Sequence, residues 1–279
     1  MYGLPYDVAA QVLFYNKDLF DQAGIAYPTN DWSFDDVRTA AKKITETAKS
    51  DKGKVYGFIS TMLGDWTAES FYLAYGANLI NKEGKVGINN ANGIAAMNFF
   101  KDNIDMGITP KPESGTTFST LWLNGLGGMI VEGGWNIPTY ADAQFNWDIV
   151  KLPKGPAGQF ASGLGGTYVI SNQSEHPKET YEFLKYVTST EGLNEVVTKV
   201  DGGVPARISS QEGLTPIQKK YAGLISDATY FNDVNGSMEL FEIHGKELEQ
   251  LWYGQKTAEE AAKIVQEKGD KILEQKRNP

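Results

Sequence analysis

The chain has 279 residues, 41% hydrophobic and 22% charged, with a formal net charge of −9. That is the composition of ordinary globular protein, and its acidity argues against the basic surfaces that hold nucleic acid or anionic membrane. With no cysteine there is no disulfide frame, thiol nucleophile or thiolate metal site, and no apolar run is long enough to cross a bilayer.

In chain order, VLFY at 12–15 reads as a short buried strand. Asn16 then caps a helix, KDLFDQA, that stops at Gly24. Ser33 is an N-cap with Asp35 and Asp36 in the first turn. The apolar face Phe34, Val37, Ala41, Ile44 and Ala48 predicts a helix that Gly53 ends. VYGFIS is a strand, and helices are expected over 67–75 and over 91–106, the second closed by Gly107. FSTLWLNGLGGMIVEGGW reads as a short helix, a glycine break, a strand MIV and a glycine turn. NWDIVKLP and GTYVIS are expected strands. Ser174 is expected to cap a helix bearing Tyr181, Leu184 and Val187, and a shorter helix spans 191–200. Thr215-Pro216 is an N-cap followed by proline at the first helical position, and Thr257 with Glu260 forms a capping box before a C-terminal amphipathic helix. Alternating short strands and helices predict an α/β fold with a largely parallel sheet, whose ligands bind at the strand carboxyl ends.

Catalytic motifs are missing. His176 and His244 stand apart, and there is no nucleophile elbow, P-loop, dinucleotide fingerprint or calcium loop. His176, before a proline at a helix start, reads as a surface residue. No cofactor or metal is implied. A glycosidase needs only two carboxylates, so among 35 acidic residues such a pair stays open but unidentified.

Four turns carry the candidate chemistry: GDW at 64–66, EGGW at 132–135, GLGGTY at 163–168 and DGGVPAR at 201–207. Glycines let the backbone approach a ligand closely, an indole at a strand end can stack on an apolar ring face, and nearby acids and amides can bond to hydroxyls. A sugar has that double character, so Trp135, Trp66 and Arg207 are candidate ligand contacts. Trp122 and Trp252 lie on apolar helix faces and read as packing.

The stretch LPYDVAAQVLFYNKDLFDQAGI, with Trp32-Ser-Phe-Asp-Asp after it, resembles the extracellular solute-binding proteins of sugar ABC transporters, the maltose-binding-protein-like group. The resemblance rests on Leu13 to Lys17, Leu19, Phe20, Ala23, Gly24 and Trp32. It continues through the Gly-x-Met strand to its Gly-Trp turn, through KLPKGPAG, GLGGTYVIS and HPKETYEFLKYVTSTEGLNEV, and into YGQKTAEEAAKIVQEK. It implies a type II periplasmic-binding-protein-like fold, two α/β lobes joined by crossover strands, with sugar held between them and hinge closure around it. By position it places ligand contacts at Trp135, Trp66, Asp65, Gly165, Gly166, Arg207, Tyr6 and Asp7. Many relatives carry a carboxylate where this chain has Ala9. Phe241 falls where maltose-binding-protein relatives have a further stacking Trp.

Residues 1–7 resemble the first crossover itself, so the resemblance implies that the initial segment of lobe one, with its signal sequence, is missing from this chain. The second lobe would comprise 8–163 and 220–279. The hinge and the remnant of lobe one would comprise 1–7 and 164–219, and its uncovered apolar surface would favour self-association. The expected function is a non-catalytic sugar or oligosaccharide receptor for an ABC importer, partnered by membrane permease subunits. The full-length parent would be lipid-anchored at the extracellular face or periplasmic. The alternatives are a glycoside hydrolase and a receptor for a non-sugar solute such as a polyamine.

Overall fold

A ten-residue strand organises the molecule. In the computed structural model, which describes residues 3–60, 62, 64–112, 117–201, 203–230 and 234–277, a short β1 (Leu4–Pro5) precedes β2 (Asp7–Asn16). Successive side chains of a strand point to opposite faces. Leu13 and Tyr15 therefore enter one hydrophobic core while Val12 and Phe14 enter another. Burial on both faces is why VLFY is continuously apolar rather than alternating.

The sheet runs β11 (Thr229–Tyr230), β8 (Ser162–Leu164), β2, β6 (Gly127–Gly133), β3 (Tyr56–Phe58), with β7 (Trp147–Val150) and β10 (Val204–Pro205) also paired to β2. β2 is antiparallel to β6, β7, β8 and β10, whereas β3 pairs with β6 and β11 with β8 in parallel. The expected parallel direction holds among the flanking strands, but the central crossover strand runs against them. The anticipated strand GTYVIS is instead the two-residue β9 (Thr167–Tyr168), which pairs with β1 alone.

Local capping chemistry accounts for the helix boundaries. Leu19 N donates to Asn16 Oδ1 at 3.2 Å to start α1 (Lys17–Ala23), and Gly24 ends it at φ 64°. Ser33 and Asp36 form a reciprocal box at the start of α2 (Phe34–Thr47). That helix stops well before Gly53: Ala48 turns extended, and Lys49 N donates to Gln22 Oε1 at 3.2 Å. α3 (Ala68–Tyr75) and α4 (Ala91–Asp105) fall where expected. After α5 (Phe118–Leu123) and α6 (Ile137–Tyr140), α7 (Pro177–Val187) begins later than Ser174. The Ser174 hydroxyl accepts from His176 N at 3.3 Å and makes a turn ahead of the helix. The helix expected over 191–200 is α8 (Thr190–Leu193) continued by a wide π-helical turn, Asn194–Asp201. α9 (Pro216–Leu224) carries a Thr215–Gln218 capping box, and α11 (Ala258–Arg277) the expected Thr257–Glu260 box.

The larger core joins one face of β2 to α2, α3, α4, α11 and α10 (Ser237–Trp252), which buries Trp252. On the other face, Trp122, Tyr140 and Tyr221 pack around Phe14. Tyr221 fastens α9 to β2 by donating to Ala10 O at 2.7 Å and accepting from Ala10 N at 2.9 Å. Among the described residues, no helix is long and apolar enough to cross a membrane.

Candidate functional site

The two parallel strands β3 and β6 end side by side, and their carboxyl ends open a cleft of about 410 Å³. Ser60, two residues beyond β3, ties them together by accepting from Val131 N at 2.6 Å. β6 then runs into Glu132 and the turn Gly133-Gly134-Trp135. Both glycines are required by space: a Cβ at Gly133 would lie 2.1 Å from the Trp135 ring, and one at Gly134 would lie 2.1 Å from the Tyr221 ring. The backbone is thereby pressed down and the indole lifted, leaving Trp135 37% exposed.

The opposing wall is the 64–67 turn. Thr67 N donates to Asp65 Oδ1 at 2.9 Å, and the Thr67 hydroxyl bonds to the same oxygen, a local turn that launches α3. Trp66 is thus presented to Trp135, with ring centroids 5.9 Å apart and planes at 68°. Gln11, opposite Gly133 in the β2–β6 ladder, supplies the floor and is oriented by the Ser70 hydroxyl at 2.8 Å. Thr117, Phe118 and Ser119 close the far side.

Glu132 is the most perturbed group in the cleft. Burial raises its pKa above the usual carboxylate range. Asn136 Nδ2, donating to Glu132 Oε2 at 2.9 Å, and the Trp135 side chain offset part of that, while the Asp65 charge adds to the rise.

Beneath the 64–67 turn sits His244, fully buried on α10. Its Nδ1–H donates to Gly64 O at 3.2 Å, and its Nε2 accepts from Tyr72 OH at 2.7 Å. Burial lowers its pKa to about 4, so the ring is neutral near pH 7 and both nitrogens are matched. Gly64 lies directly on Gly245 of the same helix, where a Cβ would approach to 2.3 Å.

Of the residues expected from the sequence, Trp66, Asp65 and Trp135 meet in this cleft. Tyr6, Asp7, Gly165 and Gly166 form a second cluster at the crossover. Gly166 N donates to Asp7 Oδ1 at 2.6 Å, Tyr6 N donates to Gly166 O at 2.9 Å, and Tyr6 stacks on Tyr168 at 4.6 Å. A Cβ on Gly166 would run into the Tyr6 ring, and Gly165 lies over Asp7 O. Asp7 and Gln11 are four residues apart on the same face of β2, which separates the clusters by about 13 Å. Arg207 lies elsewhere: it is exposed, and its Nε donates to Thr188 O at 2.9 Å. Phe241 packs on the larger core and does not line the cleft. Sequence reasoning missed Gln11, Glu132 and His244. Gln11 had a signal, a single polar residue inside the apolar run of β2, whereas nothing local marked His244 as lying under a turn 180 residues away.

The profile of the bacterial extracellular solute-binding protein family matches residues 2–193. The chain belongs to that family. Family members are binding proteins rather than enzymes, which sets aside the hydrolase alternative. A binding protein of Brucella abortus is 24% identical over 299 aligned residues, covering 98% of this chain and 68% of the relative. The maltooligosaccharide ABC transporter solute-binding lipoprotein of Streptococcus pneumoniae is 27% identical over 206 residues, 68% of this chain and 46% of its own length. An ABC substrate-binding protein of Listeria monocytogenes, solved in complex with cycloalternan, superposes with a TM-score of 0.86 at 23% identity over 98% of this chain and 72% of its own. Structural neighbours of this kind establish the type II periplasmic-binding-protein fold.

Proposed function

We propose that the chain is a sugar- or oligosaccharide-binding receptor component of an ABC importer, and that its ligand is held in the cleft between the 64–67 and 132–136 turns. One observation carries this reading: two indoles, Trp66 and Trp135, face a cleft whose polar groups are carboxylates, amides and hydroxyls. Ring faces stack on indoles while the hydroxyl rim bonds to the polar groups. The sugars named for the Streptococcus and Listeria relatives agree with it. The receptor would work outside the cytoplasmic membrane, lipid-anchored or periplasmic, and deliver its ligand to permease subunits.

Tyr6, Asp7, Gly165 and Gly166 would act at the hinge, where their bonds fasten 1–7 to 164–219 beside the body formed by 8–163 and 220–279. Arg207 would approach ligand only on closure. The segment 164–219 is also the proposed self-association surface. Six of the eleven large exposed hydrophobic residues among those described lie within it: Val169, Tyr181, Phe183, Tyr186, Val200 and Ile208. Exposed apolar patches of that kind favour association. Light scattering after size exclusion tests this, and a monomer at high concentration refutes it.

Calorimetric titration against mono- and oligosaccharides tests the main reading. Trp135→Ala is expected to weaken the sugar that binds by about 2 kcal/mol, as for an aromatic anchor. Unchanged affinity would remove Trp135 from the site.

A further inference from the structure

The cleft is charged in one direction only. Asp65 and Glu132 line it, and none of its described lining residues is Lys, Arg or His. Among the described residues, neither acid takes part in an ion pair. Elsewhere the fold matches its sheltered acids. Glu247 is held by Lys256 and by Lys268 at 3.5 Å, and Asp148 by Lys220 at 2.6 Å and Lys17 at 3.5 Å. Buried Glu69 lacks a lysine, but its two oxygens accept from Leu79 N at 2.6 Å and Asn78 Nδ2 at 3.1 Å. Glu132 likewise has neutral donors, Asn136, the Gly133 backbone N–H and the Trp135 indole, but unlike Glu69 it faces a cleft and has the Asp65 charge working against it.

A carboxylate withdrawn from water without a cation is unfavourable unless something else supplies the missing charge. In this cleft the acids lie beside two indole rings that themselves attract cations. A ligand ammonium would meet both acids and the ring faces. A ligand carboxylate or phosphate would add a third negative charge in a poorly solvated space.

We propose that Glu132 sorts ligands by charge, so that the cleft takes saccharides bearing a protonated amine ahead of neutral ones and rejects uronic and phosphorylated sugars. This rests on the saccharide reading of the cleft.

The test is calorimetry at pH 7 with maltotriose, its 6-amino and 6-carboxylate derivatives, and the same three forms of cellotriose. Spermidine serves as an amine without a ring. The amino form is expected to bind at least about tenfold tighter than its neutral parent, with the carboxylate form undetected. Glu132→Gln should bring the amino form to within about threefold of its neutral parent, whatever the change in neutral-sugar affinity, and Glu132→Asp should retain the preference. Unfolding midpoints confirm that each variant is folded. Neutral forms binding as tightly as amino forms, or a preference that survives Glu132→Gln, would overturn the inference and leave the saccharide reading standing. Binding of spermidine with no saccharide, or of nothing at all, would overturn the saccharide reading and the inference with it.

Discussion

The cleft-bearing body and the segment 164–219 obey different rules. In the body, β2 is buried on both faces, and even polar groups such as His244 and Gln11 are enclosed and hydrogen-bonded. The segment contributes few buried apolar residues, mainly Leu184, Leu193, Val197, Val204 and Leu214. It leaves Phe183 63% and Ile208 82% exposed. Its helix α7 is amphipathic, yet Tyr181, Phe183 and Tyr186 all lie exposed around it. A helix face is selected by what it packs against, so periodicity can be clear where the structure offers no cover.

The contrast is open to attack by mutation. Trp122→Ala removes a fully buried side chain that packs on Phe14, Tyr140 and Phe145, and is expected to lower stability by about 3–5 kcal/mol in thermal unfolding. A much smaller loss would mean the second core is looser than the first.

Next comes acid. His244 has its folded pKa lowered from 6.5 to about 4, so the unfolded chain takes up a proton that the native protein refuses. Its contribution is complete above pH 6.5 and is lost as pH falls towards 4, to a total of about 3 kcal/mol. The raised carboxyls of Glu69 and Glu132 run in the opposite sense, because burial favours their protonated forms. The measurement is therefore the difference between wild type and His244→Gln in unfolding scans from pH 7 to 4. A gap that does not narrow on acidification would deny His244 this role.

Tyr221→Phe strips Ala10 N and O of the one hydroxyl that serves both and should lower stability by about 1–3 kcal/mol. Because α9 joins the end of the segment to β2, the effect separates anchoring from mere contact. Phe183→Ser sits at the bottom of the scale. Stability of the monomer should move within about 0.5 kcal/mol, while concentration-dependent association falls. A large loss of stability there would show that the α7 face is covered after all.

Much of the chain's local structure was legible beforehand because its causes are local. Asn16, Ser33, Thr215 and Thr257 cap the helices they were expected to cap, since each bond is made within three residues. At two places an expectation failed because a distant group intervened. Gln22 takes the backbone of Lys49 and ends α2 early, and β1 claims Thr167 and Tyr168 from what looked like a longer strand.

The candidate site divides the same way. Trp66 and Trp135 were visible as indoles on glycine or acidic turns, and Asp65 beside them. Glu132 lay inside the quoted turn but drew no attention, because its perturbation comes from burial and from Asp65 across the cleft. By itself the sequence determined most of the helices, the caps at Asn16, Ser33, Thr215 and Thr257, the acidic and cysteine-free character of the chain, and the turns able to carry ring-stacking residues. Only the tertiary structure decided which turns face each other, that the crossover strand runs against its neighbours, and that Arg207 lies apart from the cleft. Those outcomes depend on pairings between segments tens to hundreds of residues apart, such as Gln11 opposite Gly133 and His244 beneath Gly64. No local spacing encodes contacts of that range.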